Sequence, residues 1–145
     1  MLIVTATDGT RRAGCLAGFS TQCSIDPPRY LVCLSKNNHT YSVARHADAL
    51  AVHLPGPAEM ELATLFGTQT GFEVDKFSRC AWHEGPAGVP LLDGCPRWFT
   101  GRILQRHDVG DHVAFLLHLT SVSSEPGSGQ LGFQDVRHLD AGNEA

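Results

Sequence analysis

Arg11 to Pro28, RRAGCLAGFSTQCSIDPP, is the stretch whose reading decides the fold. It starts as a strand, but small and hydroxyl side chains (Gly14, Ala17, Gly18, Ser20, Thr21, Ser24) stand where a core strand would carry valine and isoleucine. It ends in Asp26-Pro27-Pro28, which stops regular structure because each proline lacks an N–H and restricts the residue before it. Such a ribbon lets a flat group approach the backbone closely, where exposed N–H groups can donate to it. A Gly-rich edge strand with a turn and no ligand fits the same residues.

Working outward, Leu2 to Ala6 alternates and Asp8-Gly9 follows, a hairpin signal that pairs the first strand with one running through Gly14 to Ser20. Tyr30 to Leu34 is an apolar run between turn signals, hence a buried strand. Ser35 to His39 is a polar turn, after which Thr40 caps a short helix over Tyr41 to Ala47. Leu50 to Leu54 is the next strand. Pro57 then suits a first helical turn, and Met60, Leu62, Leu65 and Phe66 form a helical stripe that Gly67 ends. Thr68 to Cys95 is irregular, with Phe72, Val74, Phe77 and Trp82 as anchors; loops of that length often cover a site. Arg97–Arg106 and His112–Leu119 are the longest strand candidates, joined by a hairpin turn at Asp108 to Asp111. A polar loop over Ser121 to Gly129 leads to a last short strand within Leu131 to Leu139. With hairpins in place of βαβ units and neither repeat nor linker, the chain reads as one mainly β domain over residues 1–145, an antiparallel barrel.

The composition narrows the function. Fifteen acidic against eleven basic residues give a net charge of −4, and no Lys/Arg cluster marks a nucleic-acid footprint. No apolar run reaches the length of a membrane span, and MLIVTATDG lacks the flank of a signal peptide, so a cytoplasmic protein is expected. The five cysteines (Cys15, Cys23, Cys33, Cys80, Cys95) are odd in number and form no C-x-x-C pair, which points to buried thiols in a reducing compartment.

Gly127 to Gly132 matches G-x-G-x-x-G literally but follows Pro126, opens no helix pattern and lies close to the last residue, so it is read as a loop. His39, His46 and His53 recur every seven residues with a strand between the last two, so they share no helix face. Cys80 and His83 lack a second pair at ligand spacing; no metal site is expected. Gly110-Asp111-His112 places a histidine at the start of a barrel strand, directed toward the rim; a solvated turn histidine is the plain alternative.

Taken in order, RRAGCLAGFSTQCSIDPP, YLVCLSKNNHTY, the DKF of Asp75 to Phe77 and the GDH of residues 110–112 resemble the flavin reductase-like, FMN-binding split-barrel family, in its short actinobacterial type. The resemblance implies an antiparallel six-stranded Greek-key split barrel that dimerises and holds flavin near the subunit interface. It lays Cys15, Leu16, Ala17, Gly18, Phe19, Ser20 and Thr21 along the isoalloxazine ring. It puts Ser35, Lys36 and Asn37, with His39 and Thr40, near the flavin phosphate, where Lys36 suits a dianion. Gly110, Asp111 and His112 fall near the nicotinamide, with His112 as the catalytic-site residue. Gly18 and Phe19 stand where many relatives carry two hydroxyl residues. The implied activity is an NAD(P)H-dependent flavin reductase using FMN, with FAD possible, and NADH or NADPH as co-substrate. The implied assembly is a homodimer, with a separate monooxygenase as a candidate partner. Two alternatives stand beside it: a module binding flavin or another planar ligand without reductase activity, and a cofactor-free dimeric barrel.

Overall fold

A computed structural model describes residues 1–123, 125, 126 and 129–142; Gly127 and Ser128 of the glycine-rich loop, and the last three residues of the expected domain, lie outside them. Among the described residues nine strands and three short α-helices follow one another: β1 (Leu2–Thr7), β2 (Arg12–Ala17), β3 (Ser20–Ser24), β4 (Arg29–Ser35), α1 (His39–Ala44), β5 (Ala49–His53), α2 (Met60–Thr68), β6 (Trp82–Glu84), β7 (Pro90–Leu92), β8 (Trp98–Asp108), β9 (His112–Val122) and α3 (Phe133–Val136). Seven strands form one antiparallel sheet in the order β2-β1-β5-β8-β9-β4-β3, and β6 with β7 makes a separate ribbon. The count is therefore seven in the main sheet where six were expected.

The extra strand comes from the Arg11–Pro28 stretch. The expected single strand through Gly14 to Ser20 is two: β2 pairs β1, with Leu2 opposite Ala17, and β3 pairs β4, with Ser20 opposite Val32. Gly18 and Phe19 carry the chain from one edge of the sheet to the other. Two consecutive strands can occupy opposite edges only if the sheet curls until those edges meet, which gives a split barrel. Register shifts in β8 between Thr100 and Gly101 and between Ile103 and Gln105 supply the bend, as bulges do. Cys33 N–H donates to Phe19 O at 2.9 Å, which carries the β3–β4 ladder one residue toward β2.

The expected hairpins form. Asp8 holds the β1–β2 turn by accepting from the N–H groups of Thr10 and Arg11. Gly110 supplies a φ of 121° in the β8–β9 turn, which a side chain would resist. Leu2, Val4, Val32, Leu34, Leu50, Val52, Phe115 and Leu117 fill the barrel. Outside it, Ile3, Phe66, Phe77, Leu92 and Cys95 pack α2 and the following segment onto β1.

Three expected elements change. Asn38 caps α1 by accepting from Thr40 N–H, so the helix starts two residues before Tyr41 and ends at Ala44. α2 continues past Gly67 to Thr68, where the Thr64 and Thr68 hydroxyls donate to Met60 O and Thr64 O. Leu131 to Leu139 is no strand: Asp135 accepts from Gly132 N–H to start α3, and Leu131 and Val136 pack on Ala63.

Candidate active site

At the seam, Cys15, Leu16, Ala17, Gly18, Phe19, Cys33, Leu34, Ser35, Asn38 and His112 enclose a slot of about 90 Å³. β2 and β3 are the two edge strands of the sheet, so each leaves one row of main-chain N–H and C=O groups outside the ladder. The first part of the expected cofactor strand, Cys15 to Phe19, is brought together with Ser35 and His112. Ser20 and Thr21 are not part of the wall: the Ser20 hydroxyl bonds the Tyr30 hydroxyl at 2.9 Å, and Thr21 donates to Gln22 O.

His112 Nδ1 lies 2.7 Å from Asp111 Oδ1, which fixes the ring and holds the Asp111 carboxyl below its ordinary range. With Asp111 on Nδ1, the other ring nitrogen is left for a ligand. The imidazole is mostly enclosed and sits 5.1 Å from the Phe19 ring, which is itself 63% exposed. Gly110 shapes the turn and does not line the slot.

Lys36 stands elsewhere. Its ammonium lies 2.8 Å from both carboxylate oxygens of Asp108, and its N–H donates to Asp111 O, so the residue ties the Ser35–Asn38 turn to the β8–β9 hairpin. That contact draws the Asp108 carboxyl down and leaves Lys36 outside the slot. Asn37 N–H bonds the Ser35 hydroxyl. Thr40 is buried beside the Cys15 thiol, which burial pushes up while the Thr40 hydroxyl opposes the shift.

A larger depression, about 370 Å³, adjoins the slot along β2. Thr10 to Gly14 form one side, His39 the end, and Gly71 to Phe77 the other side. Cys15 follows Gly14 and His39 follows Asn38, so the slot and this cleft lie side by side along β2 and the start of α1. Sequence reasoning missed the cleft. Its signals were the long irregular segment after α2, with Phe72, Val74 and Phe77 in it, and the Asp75-Lys76-Phe77 triplet, in which Asp75 caps a helical turn by accepting from Phe77 N–H and Lys76 turns inward. Lys76 is 4% exposed and donates to Gly14 O at 2.9 Å and Phe66 O at 3.0 Å. Burial lowers its pKa. His39 is also lowered, first by burial and then by Arg11 and Lys76.

Gly14 answers to the core. A Cβ there would stand 2.6 Å from the Phe66 ring, so the missing side chain makes room for a buried aromatic and not for a ligand. The metal-like histidines disperse: His53 is buried in β5, and His83 pairs with Asp93 at 2.5 Å, while Cys80 donates to Lys76 O.

A model of the flavin reductase like domain matches residues 1–141. The FMN reductase (NADH) RutF of Serratia proteamaculans is 32% identical over 94% of this chain and 77% of its own length. The stachydrine N-demethylase reductase subunit Stc3 of Rhizobium meliloti is 29% identical over 90% of this chain, which spans 56% of that protein. Among solved structures, an FMN-binding protein from Thermus thermophilus with bound p-hydroxybenzaldehyde aligns with a TM-score of 0.80 and 28% identity over 87% of this chain and 71% of that one. The match runs through both edge strands, the seam between them and the turn that carries His112, and the chain belongs to the flavin reductase-like family.

Proposed function

We propose that this chain is an NAD(P)H-dependent flavin reductase that takes FMN at the seam, works as a homodimer and supplies reduced flavin to a separate monooxygenase. One observation carries the reading: the slot joins an edge strand of small residues to a histidine anchored through Nδ1. The residues fit a flavin's ring edge, since Cys15 to Phe19 offer main-chain groups on an edge strand and no charged side chain enters. A bound flavin would supply the redox chemistry. The protein's part is position: Gly18 leaves the wall without a side chain, and Asp111 orients His112 so that its Nε2 is presented where a nicotinamide would lie. RutF is an FMN reductase (NADH), which supports the activity, and Stc3 is the reductase subunit of an N-demethylase, which supports a separate partner enzyme. The exposed Phe19 at the seam suits an interface with a second copy.

Purified protein with added FMN should oxidise NADH at a rate proportional to enzyme, and the flavin should reoxidise in air. Bound FMN without turnover of either nicotinamide would overturn the reductase reading. A second reading, flavin binding without reduction, draws on a single contact: Phe19 rests against His112 and covers part of the place where a nicotinamide would lie. Phe19→Ala separates the two, since activity that rises in the variant identifies Phe19 as a movable cover of a working reductase.

A further inference from the structure

The reductase reading leaves the Asp75-Lys76-Phe77 motif without a role. Lys76 is almost fully buried; its ammonium donates to Gly14 O and Phe66 O and lies 5.5 Å from the centre of the Phe66 ring. Among the described residues no carboxylate lies within ion-pair distance of it, and its neighbour Asp75 accepts from Phe77 N–H instead. Phe66 is in the last turn of α2, so the two bonds tie that helix end to β2. A neutral donor could make the same tie without burying a charge. A desolvated ammonium held by carbonyl dipoles and a ring is costly until an anion forms nearby.

The charge is one residue away from the slot. Gly14, whose carbonyl it holds, is followed by Cys15, which lines the slot. Lys76 opposes the upward push that burial gives the Cys15 thiol, so its field reaches that wall; the thiol itself stays neutral and supplies no counter-charge. The other ionisable groups around Lys76 are neutral, exposed or engaged. His39 on α1 is held below its ordinary range, first by burial, and Glu73 is exposed. Arg11 pairs with Asp8, and the Arg12 guanidinium lies 4.5 Å over the Trp82 ring. At the far end of the slot Lys36 is paired with Asp108, and Asp111 beside His112 is well exposed. Lys76 is thus the buried, unpaired cation next to the slot.

We propose that Lys76 is a fixed positive charge behind the slot wall, which favours the reduced over the oxidised flavin without touching it. The inference rests on the flavin reading of the slot. In hydride transfer the nicotinamide loses two electrons and one proton and becomes cationic, and the flavin ring, neutral before, carries one negative charge after. A preorganised charge in a desolvated wall stabilises that product, and the developing charge on the way to it, more than the neutral ring.

The experiment measures the two-electron midpoint potential of riboflavin and of FMN bound to the unaltered protein, Lys76→Arg and Lys76→Met, in anaerobic titrations against a reference dye. Riboflavin has no phosphate, so it separates a charge acting on the ring from a phosphate contact. Lys76→Met should weaken the reduced flavin relative to the oxidised one by about tenfold, roughly 30 mV toward negative potential, equally for both flavins. Lys76→Arg keeps the charge and should stay near the unaltered value. A purely structural tie would move stability and leave the potentials where they are. Potentials equal in Lys76→Met and the unaltered protein would overturn the proposal, and so would a shift for FMN without one for riboflavin. If Lys76→Met does not fold, lysine-detected NMR of the unaltered protein decides. The Lys76 ammonium, assigned by its absence from Lys76→Arg, should titrate about one pH unit higher when bound riboflavin is reduced, the reciprocal of the same tenfold. Titration at the same pH in both redox states would overturn the proposal as well. No binding of riboflavin to any of the three proteins would refute the slot reading, and the proposal with it.

Discussion

Lowering the pH from 7 to 5 should destabilise this protein through one side chain, His53. The imidazole is fully buried between two backbones: Nδ1–H donates to Ile3 O at 3.2 Å, and Nε2 accepts from Leu92 N–H at 3.0 Å. Both nitrogens are engaged in the neutral tautomer, and burial brings the pKa down to about 4 from 6.5. A folded pKa below the unfolded value means that the unfolded chain binds more protons between those values. The contribution is therefore full above pH 6.5 and is lost as the pH falls from there toward 4. With those two values the unfolded state gains about 2 kcal/mol at pH 5 against roughly 0.2 at pH 7, a net loss of about 1.8 kcal/mol. For a domain of this size that corresponds to a fall in Tm of roughly 5–9 °C. Urea denaturation at pH 7 and pH 5 should show the loss in the unaltered protein. His53→Leu should be less stable at pH 7, having left Leu92 N–H unpaired, but its stability should change much less between the two pH values. Equal pH dependence in both proteins, or an imidazole NMR signal titrating near 6.5, would refute the reasoning.

Four further outcomes are expected. Gly14→Ala should cost about 1–3 kcal/mol in chemical denaturation, because its Cβ meets the Phe66 ring at 2.6 Å, and Phe66→Leu in the same chain should recover part of that loss. Lys36→Ala should cost less than about 1 kcal/mol, as exposed ion pairs do, and should change FMN and riboflavin affinity alike; a selective loss of FMN would return the phosphate role to Lys36. His112→Ala should raise the KM for NADH with flavin affinity little changed, and unaltered steady-state kinetics would remove His112 from the site. Gly18→Val sets its Cβ beside the Met1 thioether, 3.5 Å from the sulfur, and should stiffen that wall of the slot and weaken riboflavin without loss of fold, read by fluorescence quenching and circular dichroism.

Sequence alone determined what local chemistry controls. Alternation in Leu2–Ala6, the Asp-Gly and Gly-Asp turns and the apolar run of Tyr30–Leu34 mark hairpins, because side-chain period and turn geometry act over a few residues. The order of the motifs also carried the family, and with it His112 and the Cys15–Phe19 wall. Tertiary structure alone decided the rest. Whether Gly18-Phe19 continues a strand or bridges two edges depends on how far a seven-stranded sheet curls, and no window of sequence contains that closure. The same holds for charge: Lys36 and Lys76 look alike in the chain, yet one meets Asp108 across 72 positions while the other is buried under β2, since burial and partners are set by residues far apart in sequence.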